Sequence, residues 1–162
     1  MDQQHQDLFI KTVLANWELT INRMTTAFDR FSDADLHKPI ASGKNRVIYL
    51  LGHLVAVHDR MLPLLRLGNR RYPELDGTFI TSPDSPEAKM PAAAELRGQW
   101  TAINHLLTEM LRAWKPEEWL ERHESVSAAD FEKEPHRNRL NVVLSRTGHV
   151  SYHHGQVALL KL

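Results

Sequence analysis

The chain has no cysteine. That excludes a disulfide framework, thiolate metal ligands and a cysteine nucleophile, so any ion it holds must be held by nitrogen and oxygen. It has no excess of charge either, with 20 basic and 20 acidic residues and no basic run of the kind that tracks a phosphate backbone, so nucleic acid is not an expected partner. The longest apolar stretch, VIYLLGHLVAVH from Val47, is short for a bilayer and carries histidine, and no membrane association is expected. The opening MDQQHQDLF lacks the basic and then apolar regions of a secretory signal. There is no alternation strong enough for a β-strand, no repeat and no low-complexity segment. These absences leave a soluble, cytoplasmic protein as the expectation, with residues 1–162 enough for one domain built on a hydrophobic core.

What is present is helical periodicity. Over residues 4–31, Ile10, Leu14, Trp17, Ile21, Met24, Phe28 and Phe31 recur in steps of four and three, one stripe of a helix. A second helix is expected over 45–67, apolar almost all round in its first half and ending at Gly68 and Asn69. Pro63 removes a hydrogen bond to Asp59 inside it, which predicts a kink or an early end. Residues 68–91, rich in proline and glycine, read as a linker with a turn at SPDSPE. A third helix spans 92–114, with Leu96, Trp100, Ile103, Leu107, Met110 and Trp114 inward. Residues 115–136 read as irregular apart from one turn around PEEWL, and a fourth helix follows over 137–160. Four such helices predict an all-α four-helix bundle. The linker between helices 2 and 3 is long enough to return along the bundle, so those two helices are expected to run parallel.

The fourth helix carries an unusual load of imidazole. GHVSYHHGQ, from Gly148 to Gln156, has three histidines in six positions. His149 and His153 are four apart and share a helix face with Val142, Gln156 and Leu160, a spacing that lets both rings reach one ion. His53 of the second helix shares a face with Leu50, Val57 and Leu64 and also points inward. Three buried imidazoles without partners would each cost about 1–3 kcal/mol, which a shared ion removes. The competing reading is that each ring bonds a backbone carbonyl or a neighbour such as Tyr49 or Tyr152. His58 is expected outside the ligand set, at a rim or on the surface. His105 is expected to be structural, and His5, His37, His123 and His136 solvated. Gly52 and Gly155, beside the candidate ligands, would permit close approach of a neighbouring helix.

A histidine within LGHL followed much later by HVSYHHGQ resembles the DinB-like (YfiT-like) superfamily, whose late motif is similar to H-x-x-x-H-R-G-Q. His149, Tyr152, His153, Gly155 and Gln156 match that motif, and His154 stands where the arginine is usual. The resemblance implies an up-down-down-up bundle with a long crossover between helices 2 and 3. It also implies a metal site of His53, His149 and His153. Family members with assigned chemistry include S-transferases for bacillithiol or mycothiol and a thiol-dependent maleylpyruvate isomerase, and many are dimers.

A three-histidine ion leaves coordination positions open and lowers the pKa of a coordinated water or thiol. With what the resemblance implies, the expected function is that of a divalent-metal enzyme, either a low-molecular-weight-thiol S-transferase or a hydrolase. Gln156 would orient a ligand, Tyr152 donate a proton and Arg60 hold an anionic substrate. Zinc or nickel is the expected metal, with iron or manganese as alternatives, and the resemblance implies a homodimer. The alternative function is a non-catalytic, metal-stabilised bundle serving as a stress-response or binding module. Paired Glu-x-x-His units for a di-iron centre and H-E-x-x-H for a zinc protease are both absent.

Overall fold

The computed structural model of the chain describes residues 3–160; residues 1, 2, 161 and 162, included in the expected 1–162 domain, lie outside the described part. The described chain is all-helical, with no strand and only two isolated bridges, Pro39 with Arg46 and Arg122 with Asn138. Its helices are α1 (Gln3–Asp29), α2 (Val47–Asp59), α3 (Met61–Leu64), α4 (Asp76–Phe79), α5 (Ala93–Ala113), α6 (Pro116–Trp119), α7 (Ala128–Lys133) and α8 (Arg139–Ala158). Short 3₁₀ turns cover Asp35–His37 and Pro73–Leu75.

The α1 stripe is buried as its spacing requires: Trp17, Ile21, Met24 and Phe28 are inside, with Ile10 and Leu14 packed at the margin. Two indoles tie α1 to α5, Trp17 Nε1 donating to Thr108 Oγ1 and Trp100 Nε1 to Thr25 Oγ1, both at 2.9 Å. Buried indole N–H groups need such acceptors. Helix α1 packs on α8 and α5, and α2 packs on α5 and α8, so the apolar surface of α2 is covered on nearly every side. The window Val47–Leu64 is long and apolar enough to cross a membrane by length and composition, but 78% of it is buried inside the protein.

The second helix breaks where its sequence says it should. Pro63 has no N–H for the Asp59 carbonyl, and the helix is interrupted at Arg60 before the single turn of α3. It then ends earlier than expected. Arg66, not Gly68, is the first residue in the left-handed region (φ 59), and Leu67 N–H closes back on the Leu62 carbonyl at 2.7 Å. A non-glycine residue in that role is unusual but is found in such helix-ending turns.

Segment 68–91 is not a bare linker. Asp59, fully buried at the end of α2, accepts from Arg70 Nε (2.9 Å), Arg71 N (2.7 Å) and Tyr72 N (3.1 Å). Arg70 also forks onto Asp76, whose second cationic partner is Arg60 at 2.7 Å. The Arg70 and Arg60 guanidiniums, acting against partial burial, hold the Asp76 carboxyl down at about 2. This network folds α4 onto α2, so that Phe79 is fully buried against Gly52. The proline- and glycine-rich composition concealed it, because its order comes from ion pairs rather than from apolar periodicity.

The SPDSPE turn is ordered by Arg46, which donates to Asp84 from its backbone N (2.7 Å) and from its guanidinium. The turn of α6 falls where PEEWL predicted it, with Trp119 buried. Helix α8 starts at a side-chain cap, Asn138 accepting from Asn141 N at 3.0 Å. Arg139 anchors that end, bonding Glu121 at 2.9 Å and lying over the Trp114 ring.

Candidate metal centre

His53 comes from the middle of α2, and His149 and His153 come from successive turns of α8. The three rings meet: His149 Nε2 lies 3.3 Å from His53 Nε2 and 3.0 Å from His153 Nε2, and one ligand atom from each lies within 4.8 Å of the others. Nitrogens bound to a tetrahedral ion at about 2.0–2.1 Å would sit roughly 3.3 Å apart. His153 is buried and the other two are partly exposed.

The remaining ring nitrogens of His53 and His153 explain how those two rings are aimed, while His149 Nδ1 is buried without a partner. His53 Nδ1 is 2.8 Å from the Phe79 carbonyl oxygen, which can only accept, so the proton of His53 is on Nδ1. Gln156 Nε2 donates to the Tyr152 hydroxyl at 3.1 Å, which leaves its Oε1 to accept from His153 Nδ1 at 2.8 Å. Both rings therefore turn an Nε2 lone pair toward His149 Nε2. One proton on His149 could satisfy only one of them, whereas a cation satisfies all three. Carbonyl partners behind ligating imidazoles are the usual way of fixing tautomer and ring direction.

Electrostatics favour the ligating form. Burial, followed by the His153, His53 and Arg146 charges, pushes His149 down to about 4. Burial lowers His153 as well, against the opposing effect of the hydrogen bond it donates to Gln156. Neutral imidazole is what binds a metal. The residues present thus fit a divalent ion, and the nitrogen-only set suits a transition metal better than calcium or magnesium.

The sequence matches the DinB superfamily over residues 16–157. The chain belongs to the DinB superfamily. That match covers both halves of the histidine cluster, and a metal-binding helical protein is what the superfamily leads one to expect. No curated protein matches this DinB superfamily chain.

Other candidates fall differently. Tyr152 is exposed at 63%, and its hydroxyl is joined to Gln156. Arg60 is ion-paired to Asp76 at 2.7 Å. The inward stripe of α8 is Val143, Thr147, Val150, His153 and Val157, one step round from the expected face, so Val142 and Leu160 are only half-buried. Gly52 matters for close approach, but to a ring rather than a helix: a Cβ there would sit 2.3 Å from Phe79. Gly155 has open space instead.

His58 overturns the surface expectation. It is fully buried, between the rings of Trp17 and Trp100 (centroids 5.3 Å from each), with Nδ1 at 2.8 Å from Asn104 Oδ1. Burial, against the Asn104 hydrogen bond, pushes it down to about 3. Its helical position turns it away from His53 but into α1 and α5, which counting along α2 could not reveal. His123 is likewise half-buried, not solvated, while His5, His37, His105 and His136 are exposed. The Phe79 carbonyl was invisible in sequence, since any residue supplies one. Arg146, three positions before His149, was legible by spacing alone as a neighbour of the site.

Proposed function

We propose that this DinB superfamily chain is a divalent-metal enzyme whose ion is held by His53, His149 and His153. The observation that carries the reading is the convergence of three Nε2 atoms, two of them with lone pairs fixed by carbonyl acceptors behind the rings. When bound, the ion supplies Lewis-acid chemistry at this point.

The protein's own groups would do the rest. The Phe79 carbonyl and Gln156 keep two imidazoles oriented, Tyr152 places a phenol at the exposed edge, and the half-open face of His53 and His149 admits a substrate. That openness favours catalysis over a sealed structural ion. The proposed chemistry is S-transfer from a low-molecular-weight thiol, or hydrolysis. With no cysteine in the chain, a thiol would have to come as cosubstrate.

The proposed architecture is one domain, a four-helix bundle of up-down-down-up type. Arg46 at the start of α2 contacts Met90 just before α5, and His58 meets Asn104 further on, which supports parallel α2 and α5. Arg97 near the start of α5 reaches the Phe28 and Phe31 carbonyls at the end of α1, which supports an antiparallel pair there. A cytoplasmic homodimer is the proposed working form, with Phe9 and Leu120 among the apolar side chains left exposed to a second copy. Neither nucleic acid nor a membrane is a proposed partner.

Plasma mass spectrometry of untagged protein tests the metal reading. About one zinc or nickel per chain, lost in His53→Ala and His149→Ala, is the expected result. Turnover of a chromogenic electrophile with added thiols, or of an ester, then separates transferase from hydrolase. No metal uptake even after adding zinc or nickel would sink the proposal.

A further inference from the structure

Arg146 stands out among the neighbouring arginines. Arg60 is paired with Asp76, Arg66 with Glu124, Arg137 with Glu134 and Arg139 with Glu121, and Arg122 donates to the Val126 carbonyl. Arg146 has no ion-pair or hydrogen-bond partner among the described residues, and its Nε is buried and unsatisfied. Its side chain is half-buried, and burial together with the Arg60 charge lowers its pKa. A guanidinium nonetheless stays protonated, so this is a partly desolvated positive charge with no acid paired to it.

Arg146 lines a cavity of about 340 Å³ with His123, Ser125, Arg137, Asn141 and Ser145, and no aspartate or glutamate is among the lining residues. His123 Nδ1 is buried and also unpartnered. Burial, then Arg137, Arg122 and Arg66, lowers the pKa of His123, and the neutral form of an imidazole carries one N–H donor. The cavity therefore sets the unpaired Arg146 guanidinium beside an orphaned imidazole nitrogen and two hydroxyls, with Arg137, already held by Glu134, at its margin. Leu64 and Val142 supply its apolar wall.

We infer that this cavity binds the carboxylate of a small organic acid, with Arg146 as its ionic partner and His123 as a flanking hydrogen-bond donor. The planar fork of a guanidinium matches a carboxylate edge-on. Arg146 precedes His149 by three residues, about 4.5 Å along the helix axis. The cavity runs from Arg146 back toward the start of α8, and none of the three histidines lines it. Anion binding here requires no metal ion and stands apart from the metal-enzyme reading.

Calorimetric titration of succinate and, separately, inorganic phosphate into metal-free and zinc-loaded protein tests it, with Arg146→Gln, Arg146→Lys and His123→Gln alongside and circular dichroism to verify folding. Saturable succinate binding, weakened about tenfold or more in Arg146→Gln and less in Arg146→Lys, is expected for loss of a charge-assisted bidentate contact. Absence of saturable binding to the wild type, or equal binding by folded Arg146→Gln, would overturn the inference. Phosphate bound tenfold more tightly than succinate would overturn the carboxylate assignment. Zinc titration of the same samples separates the two readings: zinc uptake without succinate binding leaves the metal centre and removes this site, and the converse does the opposite.

Discussion

Gln156 Oε1 lies 2.8 Å from His153 Nδ1 and thereby decides which ring nitrogen of His153 is free to ligate. Replacing it with leucine removes the acceptor while keeping a helix-compatible side chain. Zinc affinity should fall about 10- to 100-fold, the usual effect of losing a partner behind a ligating histidine. Competition with a chromophoric chelator measures this. An unchanged affinity would mean that packing alone orients the ring.

Gly52→Ala should damage both fold and site. The added Cβ would lie 2.3 Å from the Phe79 ring, which is fully buried and has no room to withdraw freely. Overpacking of this kind costs about 1–3 kcal/mol, readable as a lower urea midpoint. Because the Phe79 carbonyl orients His53, zinc affinity should fall in the same variant. Gly155→Ala, inside α8 with open space around it, should raise stability by about 0.5–1 kcal/mol.

Asp59 tests the ion-pair network that folds segment 68–91. Its carboxylate is fully buried and takes three hydrogen bonds from Arg70, Arg71 and Tyr72. Asp59→Ala should cost about 3–5 kcal/mol, as expected when one partner of a buried charged network is removed. Hydrogen exchange should show the loss concentrated in 70–81. Uniform protection in the folded variant would contradict the role assigned to Asp59.

Buried His58 should make stability depend on pH. Its pKa is about 3 in the folded protein against 6.5 in the unfolded chain, so between those values the unfolded state binds more protons. Stability is then full above about pH 6.5 and declines as pH falls toward 3, by up to about 1.4 kcal/mol per unit from this group. In metal-free protein, His58→Gln, which can still bond Asn104, should flatten the dependence of the urea midpoint between pH 6.5 and 4. An unaltered slope would place the effect on other groups, His149 first.

The four long helices and the ligand pair on α8 were legible in the sequence because both are local. A 3.6-residue period fixes which side chains share a face, and the i, i+4 spacing of His149 and His153 sets their proximity whatever the rest of the chain does. Pro63 announced the break in α2 for the same reason: the missing N–H is a property of one residue.

What lay beyond reach depended on groups far apart in the chain. The depth of His58 was decided by Trp17 and Trp100, which close over it from α1 and α5. The order in segment 68–91 was decided by Asp59 meeting Arg70, an electrostatic pairing that leaves no hydrophobic period to read. The third imidazole is the clearest case. Its identity could be guessed from its face on α2, but its meeting with α8 required that helix to pack against α2, and its tautomer required a carbonyl delivered by α4. Side-chain type and helical spacing determined which groups were available; long-range packing decided which nitrogens face one another, because hydrogen-bond direction is a property of the partner as much as of the residue.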